Sequence, residues 1–264
     1  MKISLITPTS ERPQLLKQLY QIILNQDFSG EWEWLIDDDS WKPSQFLKEL
    51  KDPRIKYFYN ETPCTIGEKR TRLNAEAKGE IIIHLDDDDY YAPHYFSRVY
   101  AILKEVDFFN IHSWFCYSVL DKQFYYWATD HLLERHFELN PHYESITEVE
   151  FTEEWKEIRK ERFIYLNKHG YGFSYAYRNE VGKKCPFLAL NAGEDFLFYE
   201  SVMRSGYTQC QLPDEEGLVV HINHDMNTSL VFPQYRIPSF LIKNLFKNDL
   251  SFFYRYPTRE EWIC

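Results

Sequence analysis

Short β-branched runs and helical stripes alternate along the first hundred residues. Lys2 to Thr7 alternates as a short buried strand, and Pro8 to Pro13 is a polar turn in which Thr9 or Ser10 can cap a helix. Leu15, Leu19, Ile22 and Ile23 then recur at the spacing of one helix face. Trp32 to Ile36 predicts a second strand running into Asp37, Asp38 and Asp39, Gln45 to Lys51 a short helix, and Arg54 to Tyr59 a third strand. Thr65 and Glu68 have capping-box spacing, so a helix is predicted over 66–78 with Gly79 as its C-terminal cap. Ile81, Ile82 and Ile83 begin a fourth strand that ends in Asp86, Asp87, Asp88 and Asp89. Strands alternating with helices at these intervals predict an α/β fold with a mostly parallel central sheet flanked by helices. Ligands of such sheets bind at the carboxyl ends of the strands, where both Asp clusters fall.

The second half is less regular. A helix is predicted over Phe96 to Leu103 and a strand over Val106 to His112. Trp114 to Val119 and Phe124 to Trp127 read as a β-hairpin around Asp121 and Lys122, whose rings suit either a sugar face or, more commonly, a core. Residues 140–162 are dense in Glu, Lys and Arg, predicting an exposed insertion with one amphipathic helix. Gly170 to Tyr177 suggests a strand with close backbone approach. Asn191 to Asp195 opens a helix with Phe196, Tyr199, Val202 and Met203 on its apolar side, ending at Gly206. Val219 to Ser229 sets His221 and His224 around the end of another strand. Tyr235 to Tyr256 predicts a helix bearing Phe240, Leu241, Leu245 and Phe246, which packs back on the domain or touches a membrane surface or partner.

Composition narrows the class. A hydrophobic fraction of 44% supports a packed core, and a net charge of -11 argues against nucleic-acid binding. The five cysteines are scattered and never form a Cys-x-x-Cys pair, which reads as free thiols in a reducing compartment. The N-terminal apolar run is too short for a signal peptide, and none approaches a membrane span, so a cytoplasmic protein is expected.

Four carboxylates at a strand end repel one another, and a divalent cation would reverse that cost; oxygen donors suit Mg2+ or Mn2+. A solvated acidic turn is the plain alternative. Lys69, Arg70 and Arg72 crowd the first turns of the 66–78 helix, where the macrodipole disfavours cations. They make sense either as an anion site shared with the free N–H groups or as a solvated basic face.

The order Ile3-Ser-Leu-Ile-Thr-Pro-Thr9, Leu35-Ile-Asp-Asp-Asp-Ser40, Lys69-Arg70, Gly79 through Asp89, Pro93 and Glu194-Asp195 resembles glycosyltransferase family 2. The resemblance implies a Rossmann-like GT-A fold over residues 1–230, with a nucleotide-binding half (1–112), an acceptor half (113–230) bearing a hairpin and the 140–162 insertion, and a helical extension (231–264). It implies an inverting, non-processive, metal-dependent transfer of one sugar from a nucleotide-sugar donor, with UDP the commonest nucleotide. The acceptor would be a glycan, a lipid-linked molecule or a protein, and peripheral membrane contact is compatible with it. By the same resemblance Pro8, Thr9 and Asp38 line the nucleoside pocket, and Lys69, Arg70, Asp86 and Asp87 approach the nucleotide. Asp86, Asp88 and Asp89 match the metal-binding Asp-x-Asp motif, with His224 (or its rival His221) as the late histidine. Asp195 matches the catalytic base, with Glu194 beside it. Asp39 and Thr71 depart from the family pattern, where Gly and Asn are usual.

Other classes fit less well. A nucleotidyltransferase expects a glycine-rich N-terminal loop, and Thr7 to Pro13 contains no Gly. A haloacid-dehalogenase phosphatase expects Thr or Val where Tyr90 stands. A non-catalytic carbohydrate-binding module remains the third reading, against which stand the intact acidic motifs. Processive synthases carry Gln-x-x-Arg-Trp, which Gln234-Tyr235-Arg236-Ile237 does not match.

Overall fold

The computed structural model describes residues 2–129, 136–139, 146–149, 169–224, 226–227, 234–246 and 249–257. The chain forms two compact units, one of Met1–Asn110, Tyr171–Gln211 and Pro257–Cys264, the other of Ile111–Gly170 and Leu212–Tyr256.

The first unit is α/β. Its strands β1 (Lys2–Thr9), β2 (Glu31–Asp38), β3 (Ile55–Tyr59) and β4 (Ile81–His84) alternate with helices α1 (Pro13–Leu24), α2 (Gln45–Glu49) and α3 (Ile66–Glu76). A two-residue strand β5 (Tyr90–Tyr91) and α4 (Tyr95–Ile102) follow. The four long strands are parallel, in the order β3-β2-β1-β4. Their register brings Thr9 opposite Asp38, and Ile6 opposite His84, so the loops after β1, β2 and β4 leave from one rim.

The sheet is mixed. The chain leaves this unit within β6 (Phe108–Ser118) and returns at residue 171 from the opposite direction. β10 (Ala176–Arg178) therefore pairs antiparallel with β4, Ala176 facing Ile83, and with the start of β6. Helices α5 (Asn179–Lys184) and α6 (Glu194–Arg204) complete the unit. Ile6, Leu35, Leu73, Ile82, Phe108, Tyr177, Phe198 and Val202 form its core, with the Phe187 ring stacked 3.9 Å from that of Phe198.

Several local expectations change. The N-cap of α1 is Arg12, not Thr9 or Ser10, with Pro13 at the first helical position, where its missing N–H costs nothing. The capping box of Thr65 and Glu68 is present, but α3 ends at Glu76 with Ala77 as its cap. Gly79 serves packing instead. A Cβ there would lie 2.5 Å from the Ser4 backbone nitrogen. The strand expected over Gly170 to Tyr177 is a 3-10 turn (Gly172–Ser174) followed by β10.

In the second unit β6 continues to Ser118, so the two strands expected over 106–119 are one. It pairs antiparallel with β7 (Gln123–Ala128) through the tight turn expected at Asp121 and Lys122. Trp114, Tyr117, Phe124 and Trp127 are buried, and the indoles of Trp114 and Trp127 meet edge-on at 4.7 Å. That burial makes these rings a core rather than a sugar platform. Strands β8 (His136–Leu139) and β9 (Ile146–Val149) form a two-stranded antiparallel sheet. The helix expected within 140–162 lies outside the described residues. Strand β11 (Gln209–Pro213) leads to β12 (Val219–Asn223), which runs parallel to β6. The single C-terminal helix expected from Tyr235 is instead β13 (Tyr235–Arg236) and two short helices, α7 (Ser239–Leu245) and α8 (Leu250–Tyr254). Among the described residues no helix is long and apolar enough to cross a membrane.

Candidate active site

The loop after β4 carries the acidic tetrad, and its four carboxylates part company. One oxygen each from Asp86, Asp88 and Asp89 falls within 4.8 Å of the others. Asp87 is not in that group. It turns to Thr9, whose hydroxyl donates to it at 2.5 Å, and to Arg12, whose Nη1 donates at 2.9 Å. Burial pushes the Asp87 carboxyl up to about 6, with the neighbouring Asp88 adding to the rise and Arg12 opposing it. Arg12 Nη1 also donates to Asp88 Oδ2 at 2.5 Å. Three hard-oxygen donors from one short loop fit a divalent cation of the Mg2+ or Mn2+ type. Their mutual repulsion is what such an ion would relieve.

Arg12 is a site residue that motif reading missed. The only signal was its place in a loop that leaves a parallel strand at the ligand-binding rim.

Helix α3 resolves the puzzle of its crowded cations. Its first N–H groups are taken by protein acceptors: Ile66 N donates to Asn191 Oδ1, Gly67 N to the Leu190 carbonyl and Glu68 N to the Thr65 hydroxyl. Those N–H groups already have protein acceptors, and of the three cations Lys69 and Arg70 are buried while Arg72 stays exposed. Lys69, 3% exposed, donates to Asp39 at 2.5 Å and to the Thr9 carbonyl at 2.8 Å. Arg72 forks onto Asp37. Arg70 is equally buried and spans two motifs, Nη1 donating to Glu194 Oε1 at 2.7 Å and Nη2 to Asp86 Oδ1 at 3.2 Å.

The second Asp cluster is likewise engaged. Asp38, 1% exposed, accepts from the Ser40 backbone N–H and hydroxyl and from the Tyr57 hydroxyl at 2.6 Å. Asp39, where the family pattern has Gly, holds Lys69 and accepts from Cys64 N at 2.8 Å. Pro8 and Thr9 end β1 beside these groups.

Helix α6 begins at Glu194 and Asp195, after Gly193 at φ 77°, a conformation glycine adopts at no steric cost. Asp195 is half-buried. Its Oδ2 accepts from Gly172 N at 2.9 Å and its Oδ1 from Phe196 N at 2.8 Å. Glu194 is buried, and burial raises its carboxyl, with Arg70 opposing and Asp195 adding to the rise. Gly172 is the pivot here, since a Cβ on it would stand 2.3 Å from Arg70 Nη1. That glycine is the close backbone approach expected near residue 170, and what approaches it is a guanidinium. His84 braces the same turn from β4, Nδ1 lying 2.9 Å from the Gly172 carbonyl and Nε2 2.8 Å from the Tyr177 hydroxyl. Burial, with Arg70 nearby, holds its imidazole neutral well below the ordinary value.

Asp86, Asp88, Asp89, Arg70, Glu194 and Asp195 are thus tied together within the first unit. His224 belongs to the second unit, where it closes β12: its Nδ1 accepts from Met226 N at 3.1 Å and its own N–H donates to Asn227. His221 is buried within that strand.

The family model described as Glycosyl transferase family 2 matches residues 4–178. The putative colanic acid biosynthesis glycosyl transferase WcaA of Escherichia coli (strain K12) is 38% identical over 95 residues, 34% of each chain. The GalNAc(5)-diNAcBac-PP-undecaprenol beta-1,3-glucosyltransferase of Campylobacter jejuni is 38% identical over 94 residues, 33% of this chain and 30% of that one. The matched segments thus span about a third of these relatives. Among solved structures, Staphylococcus aureus TarS 1–349 in complex with UDP-GlcNAc aligns with a TM-score of 0.60 at 21% identity, over 88% of this chain and 62% of that one. The mannosyltransferase PcManGT from Pyrobaculum calidifontis, in complex with GDP-Man and Mn2+, aligns with a TM-score of 0.54 at 15% identity, over 84% of this chain and 56% of that one. At such identities the likeness is one of fold.

Proposed function

Because the chain belongs to glycosyl transferase family 2, we propose that it moves one sugar from a nucleoside-diphosphate sugar to an acceptor hydroxyl with inversion at the anomeric carbon. The observation that carries this reading is the Arg70 bridge. It joins the Asp86 end of a three-carboxylate cluster to Glu194, the neighbour of Asp195, at the carboxyl rim of the parallel strands.

The roles follow from the bonding. Asp86, Asp88 and Asp89 would hold the divalent cation, which when bound supplies charge stabilisation to the departing diphosphate. Asp195 is the general base. Its two N–H partners, Gly172 and Phe196, aim the carboxylate and leave it lone pairs for a proton. As the acceptor oxygen bonds to the anomeric carbon, its proton passes to Asp195 and the bond from that carbon to the diphosphate oxygen breaks. One displacement inverts the centre and needs no covalent intermediate. The nucleoside lies against Pro8, Thr9 and Asp38. Lys69 and Arg70 act from behind, each already engaged with carboxylates.

The likeness to the UDP-GlcNAc complex supports a UDP-sugar as donor, and the name of the Campylobacter relative supports a lipid-linked glycan as acceptor. Asp195→Asn is expected to abolish transfer while leaving Mn2+-dependent nucleotide binding within about twofold by calorimetry. Full turnover by that variant would remove Asp195 from the chemistry.

A further inference from the structure

Helices α7 and α8 and the strand before them, residues 235–256, read Tyr-Arg-Ile-Pro-Ser-Phe-Leu-Ile-Lys-Asn-Leu-Phe-Lys-Asn-Asp-Leu-Ser-Phe-Phe-Tyr-Arg-Tyr. The segment holds four basic residues (Arg236, Lys243, Lys247, Arg255) and one acidic residue (Asp249), a net charge of +3. With -11 for the whole chain, the remaining residues carry -14. Charge is therefore segregated, and the basic segment also sets three large apolar side chains, Phe240, Leu241 and Tyr254, in water within a short stretch.

Each helix turns one face inward. Phe246 meets the rings of Phe115 and Phe124 at 5.8 Å, and Phe253 meets Phe124 at 4.8 Å and Tyr117 at 5.5 Å. Ile242 and Tyr256 are buried with them. The residues between these anchors stay outside: Phe240 is 64% exposed, Leu241 41% and Tyr254 53%. Lys243 follows Phe240 by three residues, one helical turn on, and Arg255 adjoins Tyr254; both are exposed. The core is already satisfied from the inner side, so packing does not account for three exposed hydrophobics.

We propose that this face of the second unit docks on an anionic lipid bilayer. Phe240, Leu241 and Tyr254 would enter the interfacial layer while Lys243 and Arg255 meet acidic headgroups. Exposed aromatic and aliphatic groups beside cations are the combination that partitions into such a layer, where apolar burial and electrostatic attraction add. The rest of the chain carries a net charge of -14, so an acidic bilayer attracts this segment over the remainder and favours one orientation. The inference deepens the glycosyltransferase reading by placing the enzyme where a lipid-linked acceptor resides, but the docking itself does not depend on that reading.

The test is co-sedimentation of the full chain with vesicles of pure phosphatidylcholine and with vesicles containing phosphatidylglycerol. Binding is expected to the anionic vesicles, to weaken as salt rises, and to weaken on the order of tenfold in Phe240→Ser/Leu241→Ser. Lys243→Glu is expected to weaken it at least about fivefold, from the usual worth of one basic residue near an acidic bilayer. Melting temperatures of the free variants report folding, and their turnover on a soluble acceptor should match the wild type. No binding of the wild-type chain to anionic vesicles would overturn the proposal. So would equal binding to both vesicle types, or a dimer in light scattering that the Phe240→Ser/Leu241→Ser pair dissolves. Failure of Asp195→Asn to lose activity would instead sink the catalytic reading and leave the vesicle result standing.

Discussion

Arg70 shows what one buried guanidinium does to two carboxylates. It is 3% exposed, and the carboxylates of Asp86 and Glu194 hold its charge. Removing one partner of a buried pair leaves an uncompensated charge, which typically costs more than the pair itself contributed. Arg70→Met is therefore expected to lower stability by about 3 kcal/mol in urea unfolding. Arg70→Lys should recover less than half of that, because one ammonium cannot span both acceptors in a fixed fork. A loss in Arg70→Met below about 1 kcal/mol would mean the bridge is dispensable. The sequence placed Arg70 and both carboxylates at one site, with the guanidinium approaching the nucleotide, and the structure adds that Asp86 and Glu194 hold it. Residue identity announces a charge and is silent on which of several anions will hold it. Arg12 went unnoticed for the same reason, since nothing local distinguishes it from any exposed arginine.

At the scale of elements, the junction of α3 with the segment before α6 decides where Asp195 sits. Gly67 N donates to the Leu190 carbonyl, and a Cβ on Gly67 would come within 1.7 Å of the Leu188 oxygen. In an isolated helix Gly67→Ala would be stabilising by about 1 kcal/mol. Here it should do the reverse and dislodge residues 188–193, the segment that delivers Glu194 and Asp195. We expect Gly67→Ala to retain its far-UV circular dichroism yet lose at least about tenfold in kcat, since small misplacement of a positioned group is costly. An unchanged kcat would show that the segment adapts freely. The capping box, the amphipathic face of α1 and the hairpin at Asp121 were all legible, because each depends on residues within a few positions. The fate of the Ile66 and Gly67 N–H groups was not, because their acceptors come from more than 120 residues away.

For the whole molecule, the strand ends opposite the site are held by one carboxylate. Glu33 on β2 accepts from Ser4 on β1, from Lys56 on β3 and from the backbone N–H of Lys78 just before β4. Burial by itself would raise its carboxyl, but the bonds from Lys56, Ser4 and Lys78 outweigh it and bring the group from an ordinary 4.5 down to about 2. A carboxyl depressed in the folded state contributes stability that is present above its unfolded value and is lost as pH falls through the folded one. Wild-type stability should therefore decline between pH 4.5 and 2. Glu33→Gln should be less stable at neutral pH and show a shallower decline across that window, measured by thermal melts in a pH series. Parallel slopes for the two proteins would show that Glu33 is not the group responsible.

The sequence by itself determined the α/β alternation, the parallel strands β1 to β4 and the rim at which the acidic motifs meet. Apolar periodicity, caps and strand-end charge are short-range signals, and a parallel sheet converts strand ends into neighbours. The tertiary structure alone decided the antiparallel entry of β10, the burial of the aromatic hairpin, the division of the Asp tetrad into three clustered carboxylates and one held by Thr9 and Arg12, and the Arg70 bridge. Each of those is a choice among partners distant along the chain. Such choices rest on which charges burial forces together and which rings packing can cover, and no local pattern encodes them.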